Sequence, residues 1–363
     1  MNNVKFEENE LKITGSCTNV FQMPGFLYMP KLNTPITQKE NFEMFLNKKV
    51  PYWMPLYSDI QSMRPRIMPD NVVCGLVQDG EEILGPKDFS GKGWFDLDWV
   101  YVETVGGATV KPGNPKLKDI SKWKEVIEFP NISSYDWENS AKANENWFDK
   151  DRLLECCMLC GFWERLISLM DVENAAIALI DEDEKEYVHD LFDKLCDLYD
   201  KVIDRFKTYY NPDIILMHDD WGTQNSTFFS SDTLKEMILP YMKRIVDSCH
   251  RRGMKFQLHS CGKIEKFVPY MVEIGIDMWW GQDLNDIATL SEKYGENLAM
   301  IVISPVILPT MSDEEVKQLT QDFFNKYKNL RVFVLSMTSD ERFLKELYKL
   351  SRQYYSDLKN YIF

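Results

Sequence analysis

The sequence predicts an α/β protein built as a (β/α)8 TIM-type barrel, with an N-terminal extension and a β-hairpin excursion. Three observations carry that expectation. From about residue 150, apolar runs of strand length alternate with stretches of helical period, and helical crossovers between apolar strands imply a parallel sheet. The 363 residues suit one large barrel or two ordinary domains. No repeat, low-complexity tract or Gly/Ser linker divides them, which favours one continuous domain over 1–363. A doubly wound open sheet is the alternative, although no G-x-G-x-x-G supports a dinucleotide site on it.

Taken in order, residues 1–49 form the extension: loops rich in Pro and Asn, then a helix near "TQKENFEMFLNKK". "VPYWMPLY" (Val50 to Tyr57) reads as a first strand and opens a core segment over 50–74. Residues 75–130 leave the pattern, because "VYVETVGGATVKPG" alternates and is punctuated by glycine like a hairpin. The core resumes over 131–363. "DIILMHDDWG" opens with the apolar run Ile214 to Met217, and "SSDTLKEMILPYMKRIVDSCHRRG" then places Leu234, Met237, Ile238, Tyr241, Ile245, Val246 and Cys249 at helical period. Ser230 or Ser231 can cap that helix, Pro240 should kink it and Gly253 can end it. "MKFQL", "IDMWWGQ", "LAMIVIS" and "RVFVLSM" follow as strands, with helices at "KIEKFVPYMVEIG" and "SDEEVKQLTQDFFNKYKN".

Bulk properties narrow the function classes. Hydrophobic residues at 44% and aromatics at 13% allow a sizeable core. A net charge of −15, spread along the chain, disfavours nucleic acid and anionic membrane as partners. No secretory signal and no spanning apolar run is visible, and the eight cysteines lack framework spacing, so a cytoplasmic protein is expected.

Polar residues just past barrel strands lie where barrel active sites form. Ile214–Met217 is followed by His218, Asp219, Asp220, Trp221, Gly222, Thr223 and Gln224. "MKFQL" is followed by His259, Ser260, Cys261 and Gly262, and "DMWW" by Gln282, Asp283, Asn285 and Asp286. In extended backbone residues i and i+2 share a side, so His259 and Cys261 can reach one ion, and a thiolate with an imidazole suits zinc. The competing reading is a strand-end histidine bonded to a carboxylate, with Cys261 as filler. Asp219 and Asp220 should point to opposite faces and do different jobs; either could be acid, base or ligand, or could cap a helix. Cys157-x-x-Cys160 sits in apolar, helix-prone text, and Glu164 faces the mouth only if "MLCGF" is a strand. Arg64 and Arg66 offer either an anion site or ordinary surface pairs. Trp221, Trp279 and Trp280 would line a flat-ligand pocket or simply pack.

From Asp213 to Asp286, the H-S-C-G run, the D-D-W-G-x-Q run and "MVEIGIDMW" resemble the uroporphyrinogen decarboxylase superfamily, most of all its corrinoid-dependent methyltransferase branch. "TPITQKENFEMFLNKKVPYWMP" and "GGATVKPGNPKLKDISKWKEVIEFP" resemble the N-terminal half of that branch. The resemblance implies the barrel, a zinc at its mouth held by His259 and Cys261, and a corrinoid carried by a partner protein. It leaves room for a homodimer. The third ligand that branch uses is a later cysteine, and no cysteine follows Cys261; the last strand offers serines such as Ser336. Either Asp219, Asp220 or Glu164 completes the site, or metal binding is weakened or lost. The implied reaction moves a methyl group between a small donor (a methoxylated aromatic, a methylamine-type compound or another methyl ether) and the corrinoid protein. Asp219 or Asp220 would place or protonate the leaving heteroatom, with Gln224 and Asn285 orienting the donor and Trp221 and Gln282 meeting the cofactor. A decarboxylase of the same superfamily and a non-catalytic binding barrel are the alternatives.

Overall fold

The computed structural model describes residues 5–18, 28–80, 82–83, 91–103 and 107–361. It divides into two compact units, one containing Met1–Gln61, Asp149–Leu153 and Asp277–Phe363, the other Ser62–Phe148 and Leu154–Ile276.

The second unit holds the strands Leu153–Met158, Ile214–His218 and Lys255–His259 side by side and parallel. Registers pair Ile214 with Glu155 on one flank and with Lys255 on the other. Ile214 to Met217 are all buried, as expected where a parallel strand is covered on both faces. The covering helices follow their period. Lys185–Tyr209 buries Val188, Leu191, Phe192, Leu195, Leu198, Val202 and Phe206 along one stripe. After Ile214–His218 the chain enters Ser231–Thr233, where the Ser230 side chain accepts the Thr233 N–H. A π-turn at Leu234–Ile238 then brings the Leu239 N–H to the Leu234 carbonyl before Leu239–Arg251. Pro240 therefore acts one turn upstream of itself: lacking an N–H, it is tolerated in the first turn of a renewed helix. Gly253, at φ +73°, ends it. The expected hairpin is present, with Asp98–Val102 antiparallel to Gly107–Val110; its tip lies outside the described residues.

In the first unit Met278–Trp280, Ala299–Ile303 and Val332–Leu335 are parallel neighbours. Asp313–Tyr327 starts at a capping box between Ser312 and Glu315. The expected strand Val50–Tyr57 is not a regular strand. Leu56 makes one parallel bridge to Val334, whose N–H reaches the Pro55 carbonyl at 2.9 Å, and the ordered strand comes later, at Ile60–Met63. Pro51 and Pro55 explain this, since neither can donate to a ladder. Where loops were expected, Ile13–Thr18 pairs antiparallel with Tyr28–Leu32. The predicted helix runs Gln38–Leu46 from a Thr37–Glu40 capping box. Among the described residues no helix is long and apolar enough to cross a membrane.

Candidate functional site

The site is built where Ile214–His218 and Lys255–His259 end in register, His218 opposite His259. Alternation then sorts the side chains. His259 and Cys261 share a side, with Nε2 3.3 Å from Sγ. Ser260, between them, turns inward and its Oγ accepts the Trp221 N–H at 2.9 Å. The same sorting splits the aspartates, because the Asp219 N–H donates to the His259 carbonyl at 3.0 Å and fixes which carboxylate goes inside.

The glycines that close the two motifs need each other. Gly262 has φ +91°, and a Cβ there would fall 2.2 Å from the carbonyl carbon of Gly222. D-D-W-G and H-S-C-G are therefore two backbones in contact, a closeness that only glycine permits.

Asp219 is fully buried and spends its carboxylate on structure. Oδ1 accepts the Glu164 N–H at 2.9 Å; Oδ2 accepts those of Phe162 (3.2 Å) and Trp163 (3.4 Å) and the Trp221 Nε1–H (2.9 Å). These are the free N–H groups that open helix Phe162–Met170, so Asp219 satisfies a helix terminus 55 residues upstream. Burial still pushes its carboxyl up to about 6 against those donors. Trp221, also fully buried, is held by Asp219 and packs on Phe267.

Asp220 points the other way. Its Oδ1 accepts the Cys261 N–H at 2.7 Å and lies 3.7 Å from His259 Nε2. Asp220, His259 and Cys261 offer one oxygen, one nitrogen and one sulfur, all within 4.8 Å of one another. This set fits a zinc with three protein ligands and an open position. The Cys261 thiol is held above its ordinary range by burial and then by the Asp220 charge. His218 stacks at a tilt on His259, centroids 4.6 Å apart, and its basicity is lowered by burial, then by His259 and Arg64.

Glu164 lies in the first turn of Phe162–Met170 rather than on a strand, since the strand ends at Met158. It nevertheless faces the cluster: its carboxyl is pushed well up by burial first, then by Asp220 and Asp219. Other expected residues fall elsewhere. Gln224 is exposed in a turn whose bonds are made by Thr223 and Ser226. In the other unit Asn285 is buried and donates Nδ2–H to the Gln282 carbonyl at 3.0 Å, a turn contact. Ser336, where the resemblance leads one to expect a thiolate, donates its hydroxyl to the Thr338 carbonyl. Cys157 is buried on a strand and Cys160 in the turn after it, at φ +63°. Trp279 and Trp280 are core residues. Ser260 and His218 stand among the strand-end residues that the sequence points to, without a role that the sequence assigns.

Residues 159–339 match the family model described as uroporphyrinogen decarboxylase (URO-D). Among solved structures, a methyltransferase from Methanosarcina mazei is similar at TM-score 0.58 and 13% identity, over 88% of this chain and 99% of that one. A GH10 endoxylanase from a sugarcane soil metagenome (TM-score 0.35, 10% identity, 56% of this chain, 71% of that one) is more distant. So is an endo-1,4-β-xylanase from Caldicellulosiruptor owensensis (0.34, 12%, 60% and 75%). No curated protein matches. The first likeness shows the fold, and it is the α/β class of parallel strands and covering helices that the sequence predicts.

Proposed function

Over residues 159–339 this chain belongs to the uroporphyrinogen decarboxylase family, and from that premise we propose that it moves a methyl group between a small methyl donor and a separate corrinoid protein. The observation that carries the reading is the Asp220–His259–Cys261 cluster at paired strand ends. Its support is that methyl transfer from an ether or amine needs a poor leaving group made better, and the cluster is a place to do so.

His259, Cys261 and Asp220 would hold zinc, which when bound supplies a Lewis acid to the departing heteroatom. The chain's residues do the remainder. Ser260 and the Gly222–Gly262 contact fix the two strand ends, so the three donors converge without rearrangement. Glu164, whose carboxyl is pushed up by desolvation and by the neighbouring aspartates, would give a proton to the leaving atom in this reading. Asp219 orients Glu164 by holding its backbone N–H and is not itself a proton donor in this reading. The corrinoid comes with the partner, and O-demethylation of a methoxylated aromatic is the form of the reaction to try first.

The test mixes the full chain, zinc-loaded, with cob(I)alamin and a panel of methyl ethers and methylamines, following the visible spectrum. Methylcobalamin should appear with one donor class. No methylation with any donor, together with loss of carboxyl groups from a porphyrinogen, would replace this reading with a decarboxylase.

A further inference from the structure

Between the helix Lys185–Tyr209 and the segment 123–133 lies a cavity of about 360 Å³. That is the size of a small-ligand pocket. The local sequence accounts for it. Pro130 keeps the residue before it out of the helical region, so the chain arches between the short helix Trp123–Val126 and the turn Ile132–Ser134. The arch brings Trp123 and Phe129 to the cavity wall in edge contact, ring centroids 6.2 Å apart. The helix contributes Lys194, Asp197, Leu198 and Lys201, whose spacing of three, four and seven residues is one helical face. Trp123 and Leu198 are each 4% exposed, so the lining is apolar within and charged at its rim.

The polar groups of this lining are unequally answered. Lys194 and Asp197 answer each other at 3.6 Å. Lys201 has no ion pair among the described residues, and the Trp123 indole Nε1–H is buried without a hydrogen-bond partner. Both unanswered groups are donors and one is a cation, whereas the one carboxylate present is already paired. A guest with a cationic end would find no free partner, and a purely apolar one would leave the indole N–H unpaired. The two aromatic rings favour a planar aromatic body. We infer that this cavity binds a small aromatic acid, its ring against Trp123 and Phe129 and its anionic group toward Lys201. None of these residues belongs to the Asp220–His259–Cys261 cluster, so the site is a second one and stands apart from the methyl-transfer reading.

The experiment titrates the full chain calorimetrically with 2-naphthoate and with 2-naphthamide, which share a shape and differ in charge. The acid should bind at least about fivefold more tightly than the amide. Lys201 is exposed, so Lys201→Gln should fold as the parent does, and it should bring the two ligands within about twofold of each other. Phe129→Ala should weaken both ligands alike, and His259→Ala should change neither. The indole N–H resonance of Trp123, assigned by its loss in Trp123→Phe, should shift as the acid is added. No saturable binding of the acid, equal affinities in the parent, or a preference that survives Lys201→Gln would overturn the inference. So would an unmoved Trp123 resonance, or loss of acid binding in His259→Ala, which would put the acid at the cluster instead.

Discussion

The buried pair of Glu10 and Arg352 and the half-buried Asp220 are handled in opposite ways. Glu10, in the unit that ends with helix Glu341–Tyr361, takes hydrogen bonds from Tyr348 (2.6 Å), from Arg352 Nε (3.0 Å) and Nη2 (3.3 Å), and from the Glu7 N–H (3.1 Å). Arg352 Nη1 donates to Ser356. Asp220 instead has a backbone N–H, a thiol and an imidazole for company. Where partners are complete the burial is architecture; where they are incomplete, the proposed function supplies a metal ion as the missing partner.

The largest expected effect breaks the incomplete side. His259→Ala removes the nitrogen donor and should abolish stoichiometric zinc, read by metal analysis of untagged protein, and with it methyl transfer. Asp220→Asn should weaken zinc by at least about tenfold while leaving the far-UV spectrum unchanged. Full zinc occupancy in both variants would mean that the cluster is not the metal centre. On the complete side, Glu10→Gln leaves Arg352 buried without its counter-ion and should cost about 3–5 kcal/mol in urea unfolding. A loss below about 1 kcal/mol would erase the contrast with Asp220.

A smaller effect separates the adjacent aspartates. Asp219→Ala should cost about 2 kcal/mol, because it frees the N–H groups that open helix Phe162–Met170 and the Trp221 indole. Asp220→Ala should stay within about 0.5 kcal/mol in protein without metal, since Asp220 is partly exposed and holds one backbone N–H. Equal losses in the two variants would contradict the division of labour.

That division marks the boundary of what was legible in the sequence. His259-x-Cys261 was legible because the two-residue period of a strand is a local property, and "MKFQL" announces its strand. The opposed directions of Asp219 and Asp220 were legible for the same reason. Their assignment was not. The groups that claim Asp219 belong to a helix 55 residues away in sequence, so only the fold brings them together. The sequence leaves Glu164 open between strand and helix because its apolar surroundings suit both, and the break at Cys160, a left-handed turn at a non-glycine residue, carries no sequence signal. Val50–Tyr57 failed as a strand for a reason visible beforehand, its two prolines. The Gly222–Gly262 contact explains why two motifs 40 residues apart each end in glycine.

A last effect is read as a pH dependence and concerns Asp59, whose burial is answered only in part. Its Oδ2 accepts the Leu56 N–H at 3.0 Å, and Arg152 and Trp53 lower its pKa, yet burial outweighs them and pushes the carboxyl from 3.8 up to about 7. The folded chain then holds a proton between 3.8 and about 7 that the unfolded chain has released. Stability from this group is present below 3.8, falls as pH rises through that window and is flat above it, opposite in sign to an ion-paired carboxylate. Asp59→Asn keeps an oxygen for the Leu56 N–H and cannot ionise. The stability of the parent minus that of Asp59→Asn, from urea unfolding at several pH values, should therefore decline between pH 4 and pH 7, the window its shift defines. A difference that stayed level across that window would show that Asp59 titrates normally and that its surroundings are as complete as those of Glu10.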